Sequence, residues 1–243
     1  LKLHCFVQQQ TRNTPPETGY MFFEPWDDGA IGRTRYTFAT AGVGFRFGYK
    51  EKFAQTGFTK ISLGSKYPVV WGKITKGFDD QFNGEYDFMR YDLKMEKTFP
   101  IRGLGAMSFR VMAGYVDGDL PWTMLYTGRG TFRMWNLSVP NSFETMRINE
   151  FISDRYVSLF FKHNFKQLLY KGEKFRPQIS VVTNIGWGDL ANKAAHGYIE
   201  FETLEDGYVE SGLLINNIVQ FNYTGFGIGG FYRYGANAFP SWQ

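Results

Sequence analysis

The stretch "YDFMRYDLKMEKTF" at residues 86–99 reads as two interleaved rows: Met89, Tyr91, Leu93 and Met95 are apolar, while Arg90, Asp92, Lys94 and Glu96 are charged. On a helix Arg90 would stack on Lys94 and Asp92 on Glu96, two like-charge pairs that oppose helix formation. On a strand the rows separate, because successive side chains point to opposite faces. The period of two predicts a strand with one oily and one charged face.

The pattern recurs along the chain. Residues 34–50 set Ala39, Ala41, Val43, Phe45, Phe47 and Tyr49 against Gly42, Gly44, Arg46 and Gly48. Residues 105–116 set Met107, Phe109, Val111, Ala113 and Tyr115 against Ser108, Arg110 and Gly114. Strands are expected likewise at 155–165, 177–188, 210–223 and 225–235, where the Gly-rich row of "GFGIGG" makes an inner face open to close packing rather than a phosphate loop. Several alternations run for 11 residues or more. Strands of soluble proteins usually hold about 5 to 6, whereas about 9 to 11 cross a bilayer on a tilt. No apolar run approaches the roughly 18 residues of a spanning helix; a chain like this crosses a membrane with strands or not at all.

The fold expected is therefore all-β: an antiparallel transmembrane β-barrel, or a partial segment of one, of roughly nine to eleven strands in a single domain over 1–243. Val43, Phe45, Phe47, Leu93, Met95, Phe109, Val111, Leu159, Phe161, Val181, Ile215 and Phe226 form the outward, lipid-facing band. Tyr36, Tyr49, Phe99, Tyr115, Trp187, Tyr223 and Tyr234 sit near strand ends, where interfacial girdles fall. Short turns are expected at 99–105 and 171–175, and long connections at 117–153 and 189–207.

Arg46, Arg90, Asp92, Lys94, Glu96 and Arg110 fall on the polar rows and are expected to line the lumen. The hairpin around Gly103 allows two registers. With Pro100 opposite Leu104, Lys94 faces Arg110, a like-charge pair; with Phe99 opposite Gly103, Asp92 faces Arg110. In the first register Asp92 and Arg110 are still diagonal neighbours. The row's alternating signs leave little net field, which suits a packed lumen better than an open anion pore.

Composition adds little that is specific. Aromatic residues make up 19% and the net charge is +4, with no Lys/Arg run to track phosphates, so nucleic acid is not expected as a partner. The single Cys5 excludes an intrachain disulfide framework. Nucleophile, HExxH and P-loop motifs are missing, and His4, His163 and His196 are too dispersed for a local metal site. Carboxylates at Glu200, Glu202, Glu205, Asp206 and Glu210 could meet the oxygen preference of Ca²⁺, but solvated loop charge accounts for them more simply. No cofactor or catalytic residue is expected. The sequence opens on Leu1 without an initiator Met or signal peptide, as a mature or partial segment would.

The stretches "SKYPVVWGKITKGF", "MRINEFISDRYVSLFFKHNF" and "HGYIEFETLEDGYVESGLLINNIVQFNYTGFGIGGFYRYG" resemble the C-terminal barrel of a large family of Gram-negative outer-membrane proteins of unknown function. Its longer members carry a carboxypeptidase-regulatory-like β-sandwich ahead of the barrel. The likeness runs from about Ala41 onward and singles out Glu150, Phe151, Asp154, Glu210 and Gly212, for which a structural part is expected. The regulatory-like domain is absent here, and "FPSWQ" stands where the family continues into one more strand, so a fragment is expected. The resemblance implies outer-membrane location and non-enzymatic work in transport, export or envelope assembly, with membrane lipid and other outer-membrane or periplasmic proteins as partners. The alternatives are a secreted soluble β-protein that binds glycans through its aromatics, and a barrel-type lipid hydrolase using His163. Ser158 lies on the opposite face of that strand and cannot assist His163 there.

Overall fold

The computed structural model describes residues 1–14, 19–24, 33–57, 59–132, 141–166, 177–221 and 224–239. Nine long strands form one antiparallel sheet: β1 (Lys2–Asn13), β3 (Arg35–Gly48), β6 (Val69–Asp79), β7 (Glu85–Ile101), β8 (Gly105–Asp117), β9 (Arg155–Asn164), β10 (Gln178–Asp189), β12 (Tyr208–Phe221) and β13 (Thr224–Tyr234), paired in that order. Two minor pairs accompany it, β4 (Lys52–Thr56) with β5 (Thr59–Gly64), and β2 (Met21–Phe22) with β11 (His196–Gly197). Among the described residues the only helices are single 3₁₀ turns at Trp122–Met124 and Lys193–Ala195. The expected turn at 171–175 and Tyr223 lie outside the described residues.

Seven of the nine long strands stand where the alternation places them. β1 and β6 do not announce themselves. In β6 the apolar row is interrupted at Gly72, over which the Phe45 ring of β3 lies. A side chain at 72 would clash with that ring, so close packing between neighbours removes the residue the pattern needs.

The hairpin joining β7 and β8 takes neither expected register. Ile101 pairs with Gly105 and the loop is Arg102–Leu104. The Leu104 amide donates to the Ile101 carbonyl (3.1 Å), and Gly103 adopts φ +81° as the third residue of that turn. Gly105 also has positive φ, +100°, and absorbs the extra residue where the strand resumes. Two left-handed glycines, not one, set this turn. Glu96 then stands directly opposite Arg110 and forms an ion pair with it, while Asp92 stands opposite Gly114. Asp92 and Arg110 share a face of adjoining strands but are not diagonal neighbours, which corrects the expected contact.

The two faces of the sheet differ sharply. One carries the polar rows and is covered by the described residues of three connections that leave one end of the sheet, between β1 and β3, β8 and β9, and β10 and β12. Tyr20, Leu120, Met124, Tyr126, Ile152 and Leu190 from these connections pack on Tyr36, Phe38, Tyr86, Phe88 and Val116 of the strands. Phe143, Met146, Phe151 and Leu204 pack on Met112, Phe160 and Tyr208. The connections also bind one another: β2 pairs with β11, and the amides of Ile152 and Glu202 donate to the carbonyls of Glu202 (3.0 Å) and Glu150 (2.9 Å). This is the core.

The other face is bare among the described residues. Each of the nine long strands presents at least one exposed large apolar side chain there, among them Val7, Phe45, Ile74, Leu93, Tyr115, Val157, Val181, Leu213 and Ile228. Of the twelve residues expected to face outward none is buried, and seven are exposed, from 37% for Val181 to 60% for Phe226. Tyr49, Phe99, Tyr115, Trp187 and Tyr234 are exposed on or beside this face. Tyr36 is the exception: it lies on the covered face, wholly buried against Phe22 and Tyr86.

Candidate functional site: the covered face of the sheet

Two polar assemblies join the covered face to its inserted connections. The first centres on Glu210, which is fully buried on β12. Its carboxylate accepts from the amides of Glu144 (2.8 Å) and Thr145 (2.9 Å), the Thr145 hydroxyl (2.6 Å), the Asn184 side chain (2.7 Å) and the Tyr208 hydroxyl (3.3 Å). Arg233 is Glu210's cross-strand partner on β13 and bonds Glu150 of the connection at 2.7 Å. Its guanidinium lies 5.5 Å from the Phe151 ring centre and 4.8 Å from that of Tyr208.

The motif residues marked by resemblance thus largely converge. Glu210, Glu150 and Phe151 clamp residues 143–151 to the wall, and Gly212 leaves room for the Phe231 ring laid across it. Asp154 works nearby, accepting from the Ala191 amide (2.8 Å) and tying two connections together. A carboxylate that accepts from this many fixed donors holds structure.

The second assembly is the charged row of β7. Arg90 Nε donates to Asp92 (3.2 Å), its Nη1 to the Met124 carbonyl (2.9 Å), and its plane lies 4.2 Å over Tyr126. The Tyr126 hydroxyl donates to Asp92 at 2.9 Å. Lys94 bonds Glu96 (2.7 Å), which it shares with Arg110, and its ammonium sits 4.4 Å from the Trp71 ring centre. Arg46 pairs with Glu51 (2.5 Å) rather than joining this row, though it too approaches Trp71. All six residues expected to share a face do so. Sequence reasoning missed Tyr126, Trp71 and the Glu51 pairing; the apolar residues scattered through 120–126 and 143–152 are the signal that these long connections are buried.

The remaining candidates disperse. His163 lies on the bare face, its Nε2 3.0 Å from the Leu104 carbonyl, while Ser158 is buried on the covered face. Glu205 pairs with Lys193 (2.5 Å) at the surface and Glu210 is turned inward, so the acidic stretch does not gather; among the described residues no three metal-capable side chains do.

His196 is buried in the connection core between Tyr20, Phe22 and Phe201, with Nδ1 2.8 Å from the Tyr20 hydroxyl. Burial pulls its imidazole down from 6.5 to about 4, against a small opposing pull from Asp119. The unfolded chain takes up the proton at the higher value and the folded one only at the lower, so acid favours release. Docking of 190–201 is expected to weaken as pH falls below about 6.5, by about 2 kcal/mol at pH 5. Amide exchange at 195–197 checks this, and His196→Phe should abolish the pH dependence.

The chain is an all-β protein with an antiparallel sheet, one face covered by its own connections and the other presenting apolar side chains. Residues 20–203 match the family of unknown function (DUF5686) C-terminal domain, and the chain belongs to that family. The match includes the clamped connection but ends before Glu210 and Gly212. No curated protein matches the chain.

Proposed function

We propose that this chain is part of an outer-membrane β-barrel of a Gram-negative envelope, non-enzymatic and working in transport, export or envelope assembly within a larger protein or complex. The observation that carries this reading is the distribution of apolar side chains. A water-soluble sheet buries its apolar face; here the apolar face is bare on all nine strands and the charged rows are the ones covered. In a barrel the apolar face meets lipid and the covered face is the lumen, filled by the inserted connections.

Dimensions agree. On β7, Tyr91 and Phe99 are eight residues apart on the bare face, about 27 Å along the strand. At the usual tilt of about 40° this gives roughly 20 Å of height, close to the apolar band of such barrels. Strand direction adds a constraint. In a nine-stranded antiparallel sheet the edge strands β1 and β13 run the same way. Closing it as an all-antiparallel barrel takes an odd number of further strands, which yields an even total. The connection 118–154 is already touched from both edges, by Gln10 of β1 at Met124 (3.5 Å) and by Arg233 of β13 at Glu150. The regulatory-like domain of longer relatives would lie on the periplasmic side, where partner proteins are also expected.

The intact protein is expected to stay monodisperse in detergent and to aggregate when detergent is diluted away. A chain that remains monodisperse without detergent contradicts the reading and favours a soluble β-protein.

A further inference from the structure

The row on β7 balances its own charges, but its neighbours do not. Lys73 of β6 stands directly opposite Asp92, so Arg90 and Lys94 are both its diagonal neighbours. Despite that position Lys73 makes no ion pair or hydrogen bond among the described residues; its ammonium rests 4.4 Å from the Phe6 ring centre. Arg129, from the connection that covers this wall, likewise has no carboxylate partner among the described residues. A cavity of about 600 Å³ lies between the wall and residues 125–129, and Lys73, Arg90, Lys94 and Arg129 all line it. Asp92 is the one carboxylate on that lining.

Counting Arg110 and Glu96, which belong to the same network, five cations face two carboxylates. Three of the cations are also held in place. Rings at Phe6, Trp71 and Tyr126 carry Lys73, Lys94 and Arg90, and the Met124 carbonyl and Asp92 fix the guanidinium further. Side chains fixed this way lose little freedom on binding a ligand. Arg90 retains unused N–H donors, and the Lys73 ammonium has three. Apolar walls around a surplus of one sign concentrate its field.

We propose that this cavity binds a phosphate-bearing small molecule, of sugar-phosphate size by its volume. A dianionic phosphate offsets most of the excess of three positive charges. Its three oxygens suit a guanidinium fork flanked by ammonium groups better than a single carboxylate does. The site lies on the covered face and exists whether or not the bare face meets lipid, so it stands independently of the membrane reading.

Calorimetric titration of the intact protein, purified in non-ionic detergent, tests it with glucose 6-phosphate, glucose and dihexanoyl phosphatidate. Glucose 6-phosphate is expected to bind saturably and glucose not to bind. Equal or tighter binding of the phosphatidate identifies a lipid headgroup as the source of the phosphate; its failure to bind identifies a free phosphate ester. The Lys73→Gln/Arg129→Gln double variant should weaken binding at least about tenfold. Neither side chain holds the fold through a hydrogen bond among the described residues, so the variant should keep its β-sheet circular dichroism. Lys162→Gln removes a cation of the same face outside this cavity and should leave binding unchanged. Absence of saturable binding by either phosphate compound overturns the proposal. So does an equal loss from Lys162→Gln, which would mean a diffuse field and no site.

Discussion

Glu210→Ala is expected to lower unfolding stability by about 3 to 5 kcal/mol, the range for stripping a buried charge from its partners. Glu210 accepts from two backbone amides and three side chains, all buried, and each would lose its acceptor without gaining water. Residues 142–146 would lose their hold on the wall, exposing Phe143 and Met146. Glu210→Gln keeps one acceptor oxygen and should cost less than Ala, although its amide group would face donors it cannot satisfy. The exposed pair of Arg155 with Asp189 provides the contrast. Arg155→Ala should leave stability almost unchanged, because solvent screens an exposed pair. Denaturant midpoints measured on the three variants check the order, and a Glu210→Ala protein as stable as the parent would dismiss the clamp.

The second large effect concerns the bare face. Leu93 sits near the middle of β7 and is 50% exposed. If lipid is its surroundings, Leu93→Arg should cost about 2 to 4 kcal/mol in a bilayer. Ile148 is similarly exposed, at 54%, but lies in a connection and not on a strand of the sheet. Ile148→Arg should fall within about 0.5 kcal/mol of the parent. Exposure alone predicts the same small effect at both sites; only an apolar solvent separates them. Folding titrations into lipid vesicles measure the difference.

Most of the sheet was legible because its covered and exposed faces each recur with a period of two, and a row such as Met89 to Met95 shows it without help from neighbours. Where neighbours decide, the pattern goes silent. Gly72 is small because Phe45 needs its space, so β6 reads as irregular. The β7–β8 register turned on Gly105, whose left-handed backbone cannot be told from an ordinary glycine in sequence. Pairing of Glu96 with Arg110 follows from that one extra residue.

The covered face was half legible. Arg90, Asp92, Lys94 and Glu96 declare themselves as a row, but what they meet is Tyr126, Trp71 and Lys73, residues brought in by a distant connection and a strand without a clear pattern. The expectation of a weak net field came from one strand considered alone. Tyr36 was misplaced for a related reason: its position near a strand end suits an interfacial girdle and an inner core equally, and only the arrival of Phe22 and Tyr86 decides between them.

Lipid contact at the bare face, as proposed above, can be measured directly. Cys5, the only cysteine, lies exposed on that face of β1 and accepts a nitroxide label without any substitution. Leu93→Cys in a Cys5→Ser background places a second label at mid-strand. With the protein reconstituted in vesicles, collision rates of the Leu93 label with oxygen and with a water-soluble nickel chelate measure its surroundings directly. The account predicts frequent collisions with oxygen and rare ones with the chelate, whereas ready access of the chelate to that label would contradict it.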